Sequence, residues 1–109
     1  MQQISLKYLP DSMTVRDIDE SANYDGQYLE PYVIEHVRFE PAESLAPNQF
    51  RLADGAKGRI FIDAVNSIGA RRIPVGSKVT IADYNDMCVL TCTACKGPRS
   101  IHHWEVDVG

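Results

Sequence analysis

Residues 78–108, KVTIADYNDMCVLTCTACKGPRSIHHWEVDV, carry the clearest β-strand pattern of the chain. Three runs of β-branched, apolar and aromatic residues alternate here with two short turn segments, 83–86 and 96–99. Asp and Asn in the first segment, and Gly and Pro in the second, are residue types that tight turns favour. We therefore predict an antiparallel meander of strands over 78–82, 87–94 and 101–108. We expect Val79 and Ile81 of the first strand to point inward. Trp104, Val106 and Val108 share one face of the last strand, and we expect that face to be buried as well.

Similar alternation continues toward the N-terminus. It predicts strands over 2–9, 32–40 and 59–65, with Ile34, Val37, Phe39, Ile60 and Ile62 on the faces that we expect to point inward. Polar residues, Gly and Pro predict three long irregular loops at about 10–31, 42–57 and 66–76. Two weaker patterns lie within these loops. Phe50 and Leu52 fit a short extra strand, and the spacing of Val15, Ile18 and Ala22 fits one or two helical turns.

Six strands in 109 residues predict an all-β fold, a small antiparallel β-barrel with long irregular loops. Closure into a barrel removes the exposed strand edges that would otherwise promote aggregation. The length suits one domain over residues 1–109, and a composition of 44% hydrophobic and 24% charged residues is ordinary for a folded protein in water. No apolar stretch approaches a membrane span, and the N-terminus does not resemble a signal peptide. We expect no membrane partner.

The net charge of −4 is unevenly distributed along the chain. Residues 1–35 contain seven acidic and two basic residues, whereas residues 36–109 contain eight acidic and nine basic residues. Proteins that grip duplex DNA usually display a clustered basic patch, and here only Arg71 and Arg72 are adjacent. The sequence therefore argues against tight nucleic-acid binding by a single copy. It leaves open an acidic surface that DNA passes without adhering.

Three cysteines lie within eight residues, and they are the most reactive residue type in the chain. Cys92 and Cys95, with His102 and His103, could supply four zinc ligands, which would make the protein a zinc-binding β-ribbon interaction module. Against this, residues 92 and 95 of one strand face opposite sides, and we expect Cys88, Leu90 and Cys92 to share the core face. We also expect the adjacent histidines to face opposite ways. We favour buried thiols, no metal and no cofactor.

Motifs typical of catalysis are missing from the sequence. There is no nucleophile elbow, no glycine-rich phosphate loop and no pair of carboxylates at metal-ligand spacing. We therefore expect no catalytic residues and no enzymatic activity.

Two groups of loop residues are candidates for contacts with partners. Tyr24, Tyr28 and Tyr32 recur every four residues, and they either anchor the loop to the barrel or face a partner. Arg71 and Arg72 are either solvated charges or ligands for phosphate or for a neighbouring subunit's carboxylates.

The chain resembles a known family, the minor capsid proteins of tailed phages and prophages of Gram-positive bacteria. The ending Ile101-His102-His103-Trp104-Glu105-Val106 is similar to the last strand of that family, which reads apolar, His, His, aromatic, Glu, apolar. Three further segments fit in the expected order, and the likeness extends over residues 2–108. These segments are His36-Val37-Arg38-Phe39-Glu40-Pro41, Arg59-Ile60-Phe61-Ile62-Asp63 and Val75-Gly76-Ser77-Lys78-Val79.

The resemblance implies a structural protein of the phage neck, of the head-completion or stopper type; a tail-side adaptor is the alternative within the same class. Such a protein forms a ring below the portal, helps to retain packaged DNA and joins the tail. Its partners would be portal or adaptor proteins, tail-side neck proteins and other copies of itself, with DNA in the channel bound without sequence specificity. It would assemble in the cytoplasm of the bacterial host and remain in the virion neck. By the same resemblance, residues 11–32 and 66–74, the latter including Ile68 and Ile73, are the expected contact segments.

Overall fold

The computed structural model describes residues 4–20, 27–44 and 52–109, and it confirms the all-β class. Six antiparallel strands form a closed barrel in the order β1-β2-β3-β6-β5-β4. Two short 3-10 turns, Leu6–Tyr8 and Ala42–Ser44, lie outside the barrel wall. The strands are β1 (Asp11–Arg16), β2 (Tyr32–Pro41), β3 (Gly58–Asp63), β4 (Lys78–Ile81), β5 (Tyr84–Lys96) and β6 (Ile101–Val108).

The meander predicted from residues 78–108 is confirmed, but its first turn is shorter than predicted. Residues 84–86 of the predicted turn 83–86 belong to β5, and Ala82 of the predicted strand belongs to the turn. β4 pairs with β5 and β5 pairs with β6, both antiparallel. Tyr84 pairs with Ile81, so Ala82 and Asp83 make the connection and the predicted turn residue Tyr84 already belongs to a strand. Ala82 has a φ of 52°, an unusual value for a residue with a Cβ. The barrel closes where β1 pairs with β4, with Met13 opposite Ile81.

An irregularity in β2 accounts for the three-residue spacing of its inward side chains. Asp11 pairs with Val37 and Ser12 with Glu35, so His36 has no partner in the register. His36 also has a φ of 60°. Because this residue is inserted, Ile34 and Val37 both face the barrel interior, and both are fully buried.

The prediction of a first strand over 2–9 is wrong for the residues that the structure describes. Residues 6–8 form a 3-10 turn, and Leu6 and Tyr8 are about half exposed. The first strand is β1, inside the predicted loop 10–31. Its alternation of Met13 and Val15 with polar residues is short, and those polar residue types also fit a loop. Pairing with β2 and β4 on both sides makes the segment a strand.

Two weaker expectations for the loops also change. The helical turns over Val15, Ile18 and Ala22 are not formed: Val15 belongs to β1, Ile18 makes an isolated bridge to Tyr28, and Ala22 lies outside the described residues. Of the extra strand suggested by Phe50 and Leu52, Phe50 lies outside the described residues and Leu52 is not in a strand. Residues 66–76 connect β3 to β4 without a strand of their own, as predicted.

The core lies inside the barrel and is built from inward residues of all six strands and of the β3–β4 connection. The predicted inward residues of β2, β3, β4 and β6 are there, with Trp104 packed against the cluster. The fully buried members of this core are Val15, Ile34, Val37, Ile60, Ile62, Ile73, Val79, Val89, Val106 and Val108.

No helix in the described part of the chain is long and apolar enough to cross a membrane.

Candidate functional site

The outer face of β3 and β6 carries a network of charged side chains. Arg59 lies opposite Asp107 in the strand register. Its Nε donates to Asp107 Oδ1 at 2.6 Å, and its Nη1 donates to Glu105 Oε1 at 3.0 Å. The other oxygen of Asp107 accepts from the backbone N–H of Ala53 at 2.9 Å. The side chains of Arg59 and Asp107 are 13% and 5% exposed, so this pair is largely shielded from water.

The network continues along β6 to the two adjacent histidines. Glu105 Oε2 lies 2.9 Å from His103 Nε2, and His103 Nδ1 lies 2.8 Å from His102 Nδ1. The prediction that the two rings face opposite ways is therefore wrong. The rings meet edge to face, with centroids 5.0 Å apart. Across the strand pair, Cys95 is the register partner of His103, which places its thiol beside this network.

The three thiols lie in different surroundings. The expectation that Cys88, Leu90 and Cys92 share the core face is wrong, because Met87 and Val89 are the buried residues there. The register shifts between Val89 and Thr91, and this irregularity turns Cys92 toward the core cluster. The backbone N–H of Ile73 points to Cys92 Sγ at 3.5 Å.

The zinc ligand set suggested by the sequence is not assembled. Among the described residues, Cys95, His103 and Glu105 form a group with ligand atoms within 4.8 Å of one another, and Cys92 is not in it. Burial raises the pKa of Cys92. Burial and the neighbouring Glu105 carboxylate raise the pKa of Cys95. In the protein without metal, both groups are therefore neutral thiols at pH 7.

A second cluster joins the connection between β3 and β4 to the segment that precedes β2. Tyr32 donates its hydroxyl hydrogen to Asp17 Oδ1 at 2.6 Å, and Arg71 Nη2 donates to Asp17 Oδ2 at 2.9 Å. The Arg71 guanidinium also lies 4.5 Å from the centre of the Tyr32 ring. Burial, together with the hydrogen bond to Asp17, raises the pKa of Tyr32 well above its ordinary value. We call Asp17, Tyr32 and Arg71 the loop clamp.

The other candidate contact residues are divided between surface and core. Ile68 is 57% exposed and bridges to Glu35 on β2, with both of its backbone hydrogen bonds made to that residue. Arg72 is exposed, whereas Ile73 is fully buried in the core and so is not available to a partner. The ring of Tyr28 is covered by the Arg16 guanidinium at 5.2 Å. Tyr24 lies outside the described residues.

The start of the β3–β4 connection is fixed by Asp63, a residue that the sequence did not mark as important. Its buried carboxylate accepts hydrogen bonds from the backbone N–H groups of Ile4, Val65 and Asn66 at 2.7–3.0 Å. Burial alone would raise the pKa of Asp63, but these three donors outweigh it and lower the pKa below its usual value. The Ser67 hydroxyl accepts from the Asp63 N–H and donates to the His36 carbonyl. The connection therefore leaves the barrel in a defined direction.

The sequence profile of a family described as "Minor capsid protein" matches residues 5–108. The fold is a closed β-barrel, and the chain belongs to the minor capsid protein family. Comparison with curated proteins and with solved structures gives no significant match. Family membership identifies the chain as a capsid component with a structural role.

The ending that carries the family resemblance has a clear structural use. Within Ile101–Val108, Val106 fills the core and Trp104 packs against it. Glu105 and His103 face outward into the charged network that ties β6 to β3. Sequence reasoning reached Arg59 and Asp63 only as members of a family segment. The partners of Arg59 are 46 and 48 positions away, so no local pattern reveals them. Asp63 did carry a local signal that was missed, because an Asp carboxylate commonly accepts from backbone N–H groups two and three positions later, as it does here from Val65 and Asn66.

Proposed function

We propose that this minor capsid protein is a head-completion or stopper protein of the phage neck. In this role it forms a ring below the portal, contacts portal or adaptor proteins and tail-side neck proteins, and helps to retain the packaged DNA. The family match to residues 5–108 is the observation that carries the proposal. The host range expected from the resemblance, Gram-positive bacteria, belongs to the same proposal.

The β3–β4 connection is the part of the barrel best suited to contact a neighbour. It is held at its start by Asp63, along its length by the loop clamp, and at its end by the buried Ser77, whose hydroxyl accepts from the Ile18 N–H at 2.9 Å. Between these anchors it exposes Ile68 and Val75, which are 57% and 56% accessible. A loop held in one conformation loses little entropy on binding, which favours its use as a contact surface.

Charge supports a location next to DNA without adhesion to it. The acidic excess lies in residues 1–35, and within the loop clamp Arg71 neutralises the buried Asp17. Repeated around a ring, the remaining acidic groups would repel the phosphate backbone over roughly one Debye length, about 8 Å at physiological salt. This arrangement suits a channel that DNA traverses.

Binding to a purified portal ring, followed by imaging of the complex, tests the proposal. We expect wild-type protein to add a ring of density to the portal, and Ile68→Ser combined with Arg72→Ala to weaken binding about tenfold or more. Leu6→Ser is the control, because it removes an apolar side chain of similar exposure, 52%, from a different segment of the chain. Failure of the wild-type protein to bind portal or neck proteins would contradict the neck assignment. Equal binding by the double variant would reject only this surface.

A further inference from the structure

We propose that Cys95, His103 and Glu105 form a zinc-binding site on the outer face of β5 and β6. One ligand atom from each residue lies within 4.8 Å of the other two. The strand pairing sets this arrangement, since Cys95 is opposite His103 and Thr93 is opposite Glu105. All three side chains are partly buried and project from paired strands, which position ligands more accurately than loops do.

The ligand types favour zinc over other common cations. A thiolate, an imidazole nitrogen and a carboxylate oxygen are all ligands that Zn²⁺ accepts, at about 2.0–2.3 Å. Calcium and magnesium prefer oxygen ligands alone, and a sulfur ligand excludes them. Around a tetrahedral ion, ligand atoms lie roughly 3.3–3.8 Å apart. Side-chain rotation alone would bring the three groups from their present separation to that spacing.

The surrounding charges also suit a divalent cation. Glu105 and Asp107 carry two negative charges, and Arg59 between them carries one positive charge. Ionisation of Cys95 would leave this group of side chains with two net negative charges, which Zn²⁺ balances. Arg59 Nη1 binds Oε1 of Glu105, while Oε2 points to His103 and is the oxygen available to the metal.

The neighbouring histidine can support the change of tautomer that metal binding requires. The Glu105 carboxylate only accepts, so His103 donates to it through Nε2–H; a neutral His103 then accepts at Nδ1 the hydrogen bond from Nδ1–H of His102. With zinc on Nε2, the His103 proton resides on Nδ1 and is donated to His102, whose own proton moves to Nε2. The thiol proton of Cys95 passes to solvent. A hydrogen-bonded partner of this kind holds a ligating imidazole in position.

Cobalt(II) provides a direct test, because it substitutes for zinc and reports thiolate ligation through a near-ultraviolet charge-transfer band. The full-length protein is titrated with Co²⁺ in phosphine-reduced buffer, and the bound cobalt is then displaced with Zn²⁺. We expect the band to saturate at one equivalent and to disappear when zinc is added. Absence of a saturable thiolate band in the wild-type protein would overturn the proposal.

Three single cysteine variants identify which thiol binds the metal. Cys95→Ser should abolish the band and weaken zinc binding by more than the ~10–100-fold that loss of a supporting residue costs. Cys88→Ser and Cys92→Ser are matched controls that each remove one thiol from another environment, and both should retain the band. Persistence of the band in Cys95→Ser, or its loss in Cys92→Ser, would contradict the assignment. His103→Ala should also lose tight binding, and circular dichroism establishes that each variant is folded.

Discussion

The barrel wall at β3 and β6 and the loop clamp use the same chemistry, an arginine bound to an aspartate, in different surroundings. In the wall, Arg59 is 13% exposed and Asp107 5% exposed. In the loop clamp, Asp17 is 6% exposed but Arg71 is 55% exposed. Removing Arg59 would leave two partly buried carboxylates without their shared cation, and Asp107 would keep only the hydrogen bond from the Ala53 N–H. Removing Arg71 would affect one carboxylate, that of Asp17, which keeps its hydrogen bond from Tyr32. The wall pair therefore supports the fold, whereas the clamp arginine, which is half exposed, is available for contacts.

The largest effect is expected for Arg59→Met. Loss of this cation leaves Asp107 charged in a site shielded from water, so we expect the free energy of unfolding to fall by about 3 kcal/mol. Urea denaturation measures it. Arg71→Met is the matched control, and its half-exposed ion pair should contribute less than about 1 kcal/mol. An equal decrease in the free energy of unfolding in both variants would contradict the proposed difference between the wall pair and the loop clamp.

Asp63→Asn tests the hydrogen bonds that hold the start of the β3–β4 connection at the end of β3. The amide keeps the shape but loses the charged acceptor for three backbone donors, so we expect a loss of about 2 kcal/mol in unfolding free energy. Because the folded-state pKa of Asp63 is lowered, its contribution is complete above the unfolded pKa of about 3.9 and disappears as the pH falls through the folded-state value. Denaturation from pH 7 down to pH 2 should therefore show a weaker acid dependence in the variant. An unchanged acid dependence would contradict this role for Asp63.

A smaller effect than that of Asp63→Asn is expected for Tyr32→Phe within the loop clamp. This change removes the hydroxyl that binds Asp17 but keeps the ring under Arg71, so the unfolding free energy should fall by about 1 kcal/mol. Tyr28→Phe is the control, because Tyr28 contacts Arg16 through its ring. Chemical denaturation of both variants measures the difference. A loss as large as that of Arg59→Met would show that the clamp also supports the fold.

The parts of the fold that sequence reasoning reached are those with long, regular alternation. The meander over residues 78–108 and the inward residues of β2, β3, β4 and β6 were all predicted. β1 was missed because six residues with only Met13 and Val15 facing the core make a weak local signal. The prediction that the two histidines face opposite ways failed for a related reason. Strand alternation gives the direction in which a side chain leaves the backbone, but side-chain rotation about χ1 and χ2 can still bring the rings of adjacent residues into contact.

The β class, the meander, the family resemblance and the acidic N-terminal third follow from the sequence alone, because each depends on local periodicity or on residue identity. Which charges and thiols are neighbours depends on the tertiary structure. Bulges in β2 and β5 change the face of every residue beyond them, and pairing between distant strands brings Arg59 to Asp107 and Cys95 to His103. Register of this kind is a property of two segments packed together, so no pattern within one segment encodes it.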